Sequence, residues 1–184
     1  MKIIQKFCQQ RELRQRIANN HNRLFRMAFS WTHNQELAAD LAQETMVKSL
    51  NALGQLREVE KLDSWLFGIL SNCMRDHFRR QKETIDIDEI ELKHNETPEH
   101  LNHKLDLIDN VRKSIEKLNS GHRQVVTLVD LEGFSYAEVA SILEIPVGTV
   151  MSRLSRARQQ LANSLLDYRS DQKTDHEVKL RRVK

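Results

Sequence analysis

Between residues 149 and 159 the chain carries a run of side chains that hydrogen-bond but do not react: Thr149, Ser152, Arg153, Ser155, Arg156, Arg158 and Gln159. Hydroxyls, an amide and guanidinium groups offer the donors and acceptors that base edges and phosphate oxygens take. They are not the makings of a nucleophile or an acid–base pair, and the chain has neither a Gly-rich phosphate loop nor a paired-carboxylate signature. At about 100° per residue, Val150, Leu154, Ala157 and Leu161 fall on one side of a helix, while Ser152, Ser155, Arg156 and Gln159 fall on the other with Arg153 and Arg158 at the flanks.

The residues just upstream must position that helix. Ser135 and Glu138 have the spacing of a capping box, and Tyr136, Val139, Ala140 and Leu143 recur at helical intervals after it. Pro146 lacks an N–H and fixes its own φ, so it suits the start of a new helix. Two short helices joined at Glu144-Ile145-Pro146, the second with a polar and basic outer face, are what a helix-turn-helix offers a major groove. The alternative is a plain helical hairpin with a solvated face. Agreement of cap, turn, proline and polar face over one stretch favours the groove reader.

A second set of polar residues lies in the first half. Asp40, Gln43 and Glu44 share a helix face beside an apolar stripe read as Leu37, Leu41, Val47 and Leu50. The preceding helix places Leu24, Phe25, Ala28 and Phe29 on one face and breaks at Thr32-His33-Asn34, with Asn34 as N-cap. A polar loop from Gly54 to Asp63 carries Arg57 and Lys61, and the helix after it carries Arg75, Arg79, Arg80 and Lys82.

The stretch SYAEVASILEIPVGTVMSRLSRARQQL at 135–161 resembles the second DNA-binding region of the extracytoplasmic-function (ECF) group of sigma-70 type sigma factors. AADLAQETMVKSL at 38–50 and SWLFGILSNCMRDHFRR at 64–80 are similar to the polymerase-binding and promoter-melting region of the same family, in the expected order. The resemblance covers most of residues 20 to 168 and implies an initiation factor. By it, Asp40, Gln43, Glu44 and Lys48 would meet core RNA polymerase at the β′ clamp helices, with further contact to the β subunit. Arg57, Lys61, Asn72, Arg75, Arg79 and Arg80 would meet the minus-ten element, whose extruded base needs a pocket and a basic groove. Thr149, Ser152, Arg153, Ser155, Arg156, Arg158 and Gln159 would meet minus-thirty-five DNA. Trp65, Leu66, Ile69 and Phe78 match buried positions of the family pattern. An anti-sigma factor is a further implied partner. The chain departs from the pattern at Met46, where Phe is usual, at Asn119-Ser120-Gly121, where Leu-Pro is common, and at Glu144, Met151 and Ser155. A positive φ at Glu144, where the family often has Gly, would cost on the order of 1 kcal/mol.

Charge is distributed unevenly along the 184 residues. Residues 1–82 hold 14 Lys/Arg against 8 Asp/Glu, residues 83–100 hold 1 against 7, and the remainder 14 against 11. Two basic segments around an acidic one can grip DNA at two places. With two prolines and five glycines, the expected fold is all-α. Two small helical domains, 10–82 and 104–168, would be joined by a flexible acidic linker, 83–103, and followed by a charged, frayed tail, 169–184. The alternating IDIDEIEL in the linker is read as an extended segment, since no partner strand is in sight. The resemblance implies that it threads the polymerase's basic channel. Leu105, Ile108, Val111, Ile115 and Leu118 form the core stripe that opens the second domain.

Cys8 and Cys73 do not make a disulfide framework, and no apolar run reaches the roughly 18 residues of a membrane span. A cytoplasmic, monomeric protein without cofactor is expected. His94, His100 and His103 have no cysteine or carboxylate frame for a metal. Two other function classes fit parts of the chain. A free-standing repressor of this type reads paired half-sites as a dimer, yet no dimerisation helix is visible and the first domain would have no purpose. A sigma-like protein that only titrates a regulator is the third.

Overall fold

The computed structural model describes the backbone of residues 2–84 and 103–181 and the side chains of 10–81 and 110–166. The described residues are helical and contain no strand. The first half comprises α1 (Lys2–Asn19), α2 (His21–Thr32), α3 (Gln35–Asn51) and α4 (Leu62–Thr84). The second comprises α5 (His103–Glu116), α6 (Ser120–Val126), a π-helical turn (Thr127–Leu131), α7 (Tyr136–Leu143) and α8 (Val147–Arg181).

Local chemistry sets most of the boundaries. His33 ends α2 in the left-handed region at φ 51°, its N–H bonded to the Phe29 carbonyl at 2.8 Å. Asn34 then caps α3, its side chain accepting from the Leu37 N–H at 3.0 Å. Asn119 caps α6 in the same way through the His122 N–H. Gly133 takes φ 76° before α7, a backbone that only glycine adopts without a Cβ penalty. Between α3 and α4 stand short 3₁₀ turns at Leu53–Gln55 and Val59–Lys61, and α4 begins at Leu62, so Asp63, expected in the loop, lies in the first turn of the helix.

The core of the first half follows the apolar pattern in part: Leu24, Ala28 and Leu41 are buried and Leu37 packs against them, whereas Phe29 is exposed. Against α2's Leu24, Met27, Ala28 and Trp31, helix α3 buries Ala38, Leu41, Ala42, Thr45 and Ser49. Small side chains let the helices approach closely. Val47 lies about 180° around α3 from Ala38, and both Val47 and Leu50 are exposed rather than part of the stripe. On α4, Leu62, Leu66, Phe67, Leu70, Cys73 and Met74 are buried, while Trp65 and Ile69 pack at the margin. Phe78 sits at the edge of that stripe and is exposed, its ring edge-on to His77 at 5.5 Å.

The two halves pack on one another, α4 against α7 and α2 against α6. The Trp31 indole N–H donates to the Thr127 hydroxyl at 2.9 Å, between side chains that are both buried. Arg123 donates to the carbonyls of Trp31, Glu116, Leu118 and Ile115 at 2.9, 2.6, 2.8 and 3.2 Å, tying α2 to the α5–α6 corner. Burial lowers its pKa, partly offset by Glu116. Phe67 and Phe134 meet edge-to-face at 5.2 Å, with Arg23 against both rings.

Two expectations from the sequence end differently. Helix α8 continues to Arg181 instead of fraying at 169, in keeping with the absence of Gly and Pro between Leu161 and Arg181. The IDIDEIEL segment, His94 and His100, and the side chains of Leu105 and Ile108 lie outside the described residues.

Candidate nucleic-acid and polymerase interface

The reading helix is held by three local devices. Ser135 Oγ accepts from the Glu138 N–H at 3.3 Å, while the Glu138 carboxylate accepts from the Ser135 N–H at 2.8 Å and hydroxyl at 2.7 Å. The Ser135 hydroxyl and backbone bonds hold the Glu138 carboxyl below its ordinary range. Glu144 ends α7 in the left-handed region at φ 55°, ψ 46°, so the strain anticipated for a non-glycine at this turn is present. Pro146 stands just before α8, its carbonyl accepting from the Thr149 and Val150 N–H groups at 2.9 and 3.2 Å.

On α8, Val150, Leu154 and Ala157 are buried and Leu161 packs against the core. The register read from the sequence is therefore the observed one. Ser152, Ser155, Arg156 and Gln159 are exposed together, and Thr149 is half-buried at the start of the helix. Ser152 Oγ also bonds the Thr149 carbonyl at 3.1 Å. Arg156 has no ion-pair partner among the described residues.

The flanking arginines have structural neighbours. Arg153 is half-buried, its guanidinium lying so close over Gly121 that a Cβ there would stand 3.1 Å from Nη1. Arg158 is engaged with Asp130 of the π-helical turn through two bonds, at 2.5 and 3.1 Å. The bond to Asp130 raises the arginine's pKa. As placed, Arg158 braces α8 against the π-helical turn while its side chain stays half-exposed at the flank of the outer face.

In the first half, Asp40 and Gln43 are exposed on the outside of α3, and Val47 stands beside them as an exposed apolar side chain. Glu44 and Lys48 pair at 2.9 Å, and both reach across to α4, Glu44 to Arg80 at 3.9 Å and Lys48 to Asp76 at 3.8 Å. Arg79 joins Asp76 at 3.2 Å. The Glu44 bond is the leading cause of the raised pKa of Lys48. Glu44 and Lys48 thus link α3 to α4 as well as bordering the outer face. Of the six residues expected at minus-ten DNA, Arg57, Lys61, Asn72, Arg75, Arg79 and Arg80 are all exposed. Lys61 pairs with Glu58 at 2.9 Å in the loop. Arg75 binds Asn72 and reaches into the second half to Glu144 at 2.9 Å.

Sequence reasoning missed Arg23, whose guanidinium bonds Asp63 at 2.5 Å and also Glu132 of the second half. Burial works against its charge, but the bonds to Asp63 and Glu132 outweigh it and hold the pKa above its usual value. The partners stand 40 and 109 positions away, so no local pattern announces them. Among the described residues, no group of three or more His, Cys, Asp or Glu is arranged for a metal, and no helix is long and apolar enough to cross a membrane. Cys73 is buried against α3, and burial pushes its thiol pKa up.

A capped helix-turn-helix with an outward polar face, carried beside a four-helix bundle with its own basic helix, defines a DNA-binding transcription factor of two regions. Comparison with known proteins is consistent along the chain. Residues 17–84 match the family described as Sigma-70 region 2, and residues 108–161 match Sigma-70, region 4. The ECF RNA polymerase sigma-E factor of Escherichia coli K12 is 34% identical over 138 residues, covering 68% of this chain and 72% of that one. The RNA polymerase sigma-H factor of Pseudomonas aeruginosa is 31% identical over 147 residues, covering 73% and 76%. Two solved structures are similar. The sigma factor RpoE of Bartonella quintana, in complex with the anti-sigma factor NepR, aligns with TM-score 0.65 and 26% identity over 84% of this chain and 96% of that one. CnrH, in complex with the cytosolic domain of CnrY, aligns with TM-score 0.59 and 30% identity over 86% and 90%. The chain belongs to the ECF group of the sigma-70 family. It is a sigma factor, a regulatory subunit that directs RNA polymerase to promoters.

Proposed function

We propose that the outer face of α3, with Asp40, Gln43 and Val47 at its centre and Glu44 and Lys48 at its border, docks on core RNA polymerase. The α4 helix and the loop before it then meet minus-ten DNA through Arg57, Lys61, Asn72, Arg75, Arg79 and Arg80. Helix α8 enters the minus-thirty-five major groove with Ser152, Ser155, Arg156 and Gln159 toward the bases, Thr149 at its leading end, and Arg153 and Arg158 near the backbone. Region 2 takes the bounds 10–82 and region 4 the bounds 104–168. The chain works in the cytoplasm under an anti-sigma factor, as the two similar solved complexes favour.

The observation that carries this reading is the exposure of Ser152, Ser155, Arg156 and Gln159 on one side of a helix whose opposite side is buried. The two serines are short, so the helix axis can lie deep in the groove. Run-off transcription with purified core enzyme on genomic DNA tests it. Promoter-specific transcripts that need this chain are expected, and DNA binding without any effect on core enzyme would overturn it in favour of a repressor.

A further inference from the structure

The leading end of α8 exposes apolar side chains. Met151 is 54% exposed and Val147 43% exposed, in the first two turns of a helix that buries Val150, Leu154 and Ala157 on its other side. Val147 and Met151 stand four positions apart on one ridge, and the same ridge runs on through Ser155 to Gln159, both of the outward face. Helical side chains lean toward the N-terminus, so the ground Met151 covers is the turn of Val147 and Gly148, at the end that enters a groove first. Gly148 is exposed, and a Cβ built there would meet nothing within 4 Å. The fold itself therefore does not require glycine at 148, and the bare backbone leaves the space beside Met151 open.

We infer that Met151 reads the C5-methyl group of a thymine in the minus-thirty-five element, a point of sequence preference additional to that of Arg156. The inference rests on the initiation-factor reading, which sends α8 into the groove. Base edges in the major groove present donors and acceptors, and thymine adds a methyl. A thioether has no donor and accepts weakly, so a polar edge beneath it would lose water without gaining a partner. Facing a methyl, the same side chain removes apolar surface from water on both sides. Being unbranched and flexible, methionine can settle on that methyl from the border of the reading face. Its exposed neighbours Ser152 and Ser155 are too short to block the approach.

The spacing to Arg156 makes the inference specific. Five residues are about 7.5 Å along a helix axis, which for a helix lying along the groove is about two base-pair steps of about 3.4 Å. The two side chains also stand about 140° apart around α8, on either side of its outward direction. The thymine should therefore lie about two base pairs from the pair that Arg156 contacts.

The test uses holoenzyme assembled with the full chain as parent, Met151→Ala and Met151→Leu, each selecting duplexes from a pool randomised across minus-thirty-five. The parent is expected to retain a thymine, on either strand, about two base pairs from the position that Arg156→Ala relaxes. Met151→Ala should lose that thymine preference alone, and Met151→Leu, still apolar, should keep it. The selected duplex is then made with deoxyuridine in place of that thymine, which removes the methyl and nothing else. Burial of one such carbon is worth about fourfold in affinity. The parent should accordingly bind the deoxyuridine duplex about fourfold more weakly than the thymine duplex, while Met151→Ala binds the two alike. Equal binding of both duplexes by the parent would overturn the inference, as would the parent preference surviving in Met151→Ala. A Met151→Ala holoenzyme weakened equally on every sequence would overturn it too, because that is the result of packing against sugar. A parent holoenzyme that selects no sequence would overturn the initiation reading, and this inference with it.

Discussion

Two exposed arginines two residues apart on α8 should respond to alanine in opposite ways. Arg156 stands with Ser152, Ser155 and Gln159 on the outward face. Arg158 donates to both Asp130 oxygens, at 2.5 and 3.1 Å, and so is turned toward its own fold. A guanidinium that reads a base edge, most readily the two acceptors of a guanine, is worth about 1–3 kcal/mol of discrimination, a factor of about 5 to 150. An exposed ion pair such as Arg158–Asp130 is worth about 0.2–1 kcal/mol and carries no sequence information. Arg156→Ala holoenzyme should therefore lose preference at one position of the minus-thirty-five element. Arg158→Ala should keep the parent sequence and lose at most about fivefold in affinity. Selection of promoter duplexes from a randomised minus-thirty-five pool, followed by sequencing, reads both effects. If Arg156→Ala returns the parent consensus, or Arg158→Ala changes a base, the orientation of α8 in the groove is wrong.

Four further outcomes follow from contacts already described. Asp40→Lys with Glu44→Lys should weaken co-purification with core enzyme while leaving the helical circular dichroism intact; undiminished co-purification removes α3's outer face from the polymerase contact. Thr127→Val leaves the Trp31 indole N–H buried without its acceptor and should lower stability in urea by about 1–3 kcal/mol, and a loss under about 0.5 kcal/mol would mean the bond is not formed. Glu138 has a folded pKa below its unfolded value, so its contribution is present above the unfolded pKa and disappears as pH falls through the folded one. Melting of the parent should accordingly fall more steeply on acidification than melting of Glu138→Gln, and parallel curves would deny the capping box this role. Limited proteolysis is expected to cut first in the acidic segment 83–103, and the two fragments should then co-elute through the contacts of Arg23, Trp31 and Arg123; fragments that separate at once would mean those contacts are too weak to hold the halves.

What the sequence made legible was local. The capping box at Ser135, the Asn34 cap and the register of α8 each depend on residues within one or two turns, and each stands where its spacing put it. The strain at Glu144 was readable because the turn demands a left-handed residue whatever its side chain. Hydrophobicity misled where size mattered more. Val47, Leu50 and Phe78 extend apolar stripes on paper, yet α3 turns its alanines, Thr45 and Ser49 inward, because close helix packing favours small side chains over greasy ones.

The contact between the halves was illegible for a physical reason. Its members are ordinary residues when read in place: Arg23 looks like a solvated charge, Trp31 a core aromatic, Arg123 a basic residue in a short helix. Each acquires its role from a partner in the other half, Glu132 for Arg23, Thr127 for Trp31 and the Trp31 carbonyl for Arg123. A family pattern cannot supply these pairs either, since it describes each region by itself. Glu144 is the exception that joins the two kinds of evidence. It is conspicuous alone, as an acid where the turn prefers glycine, and it has an explanation only across the interface, in Arg75. A departure from a family pattern at a strained position is thus a pointer to a partner outside the motif. Here that partner is Arg75, a cation on α4, the helix we assign to minus-ten DNA.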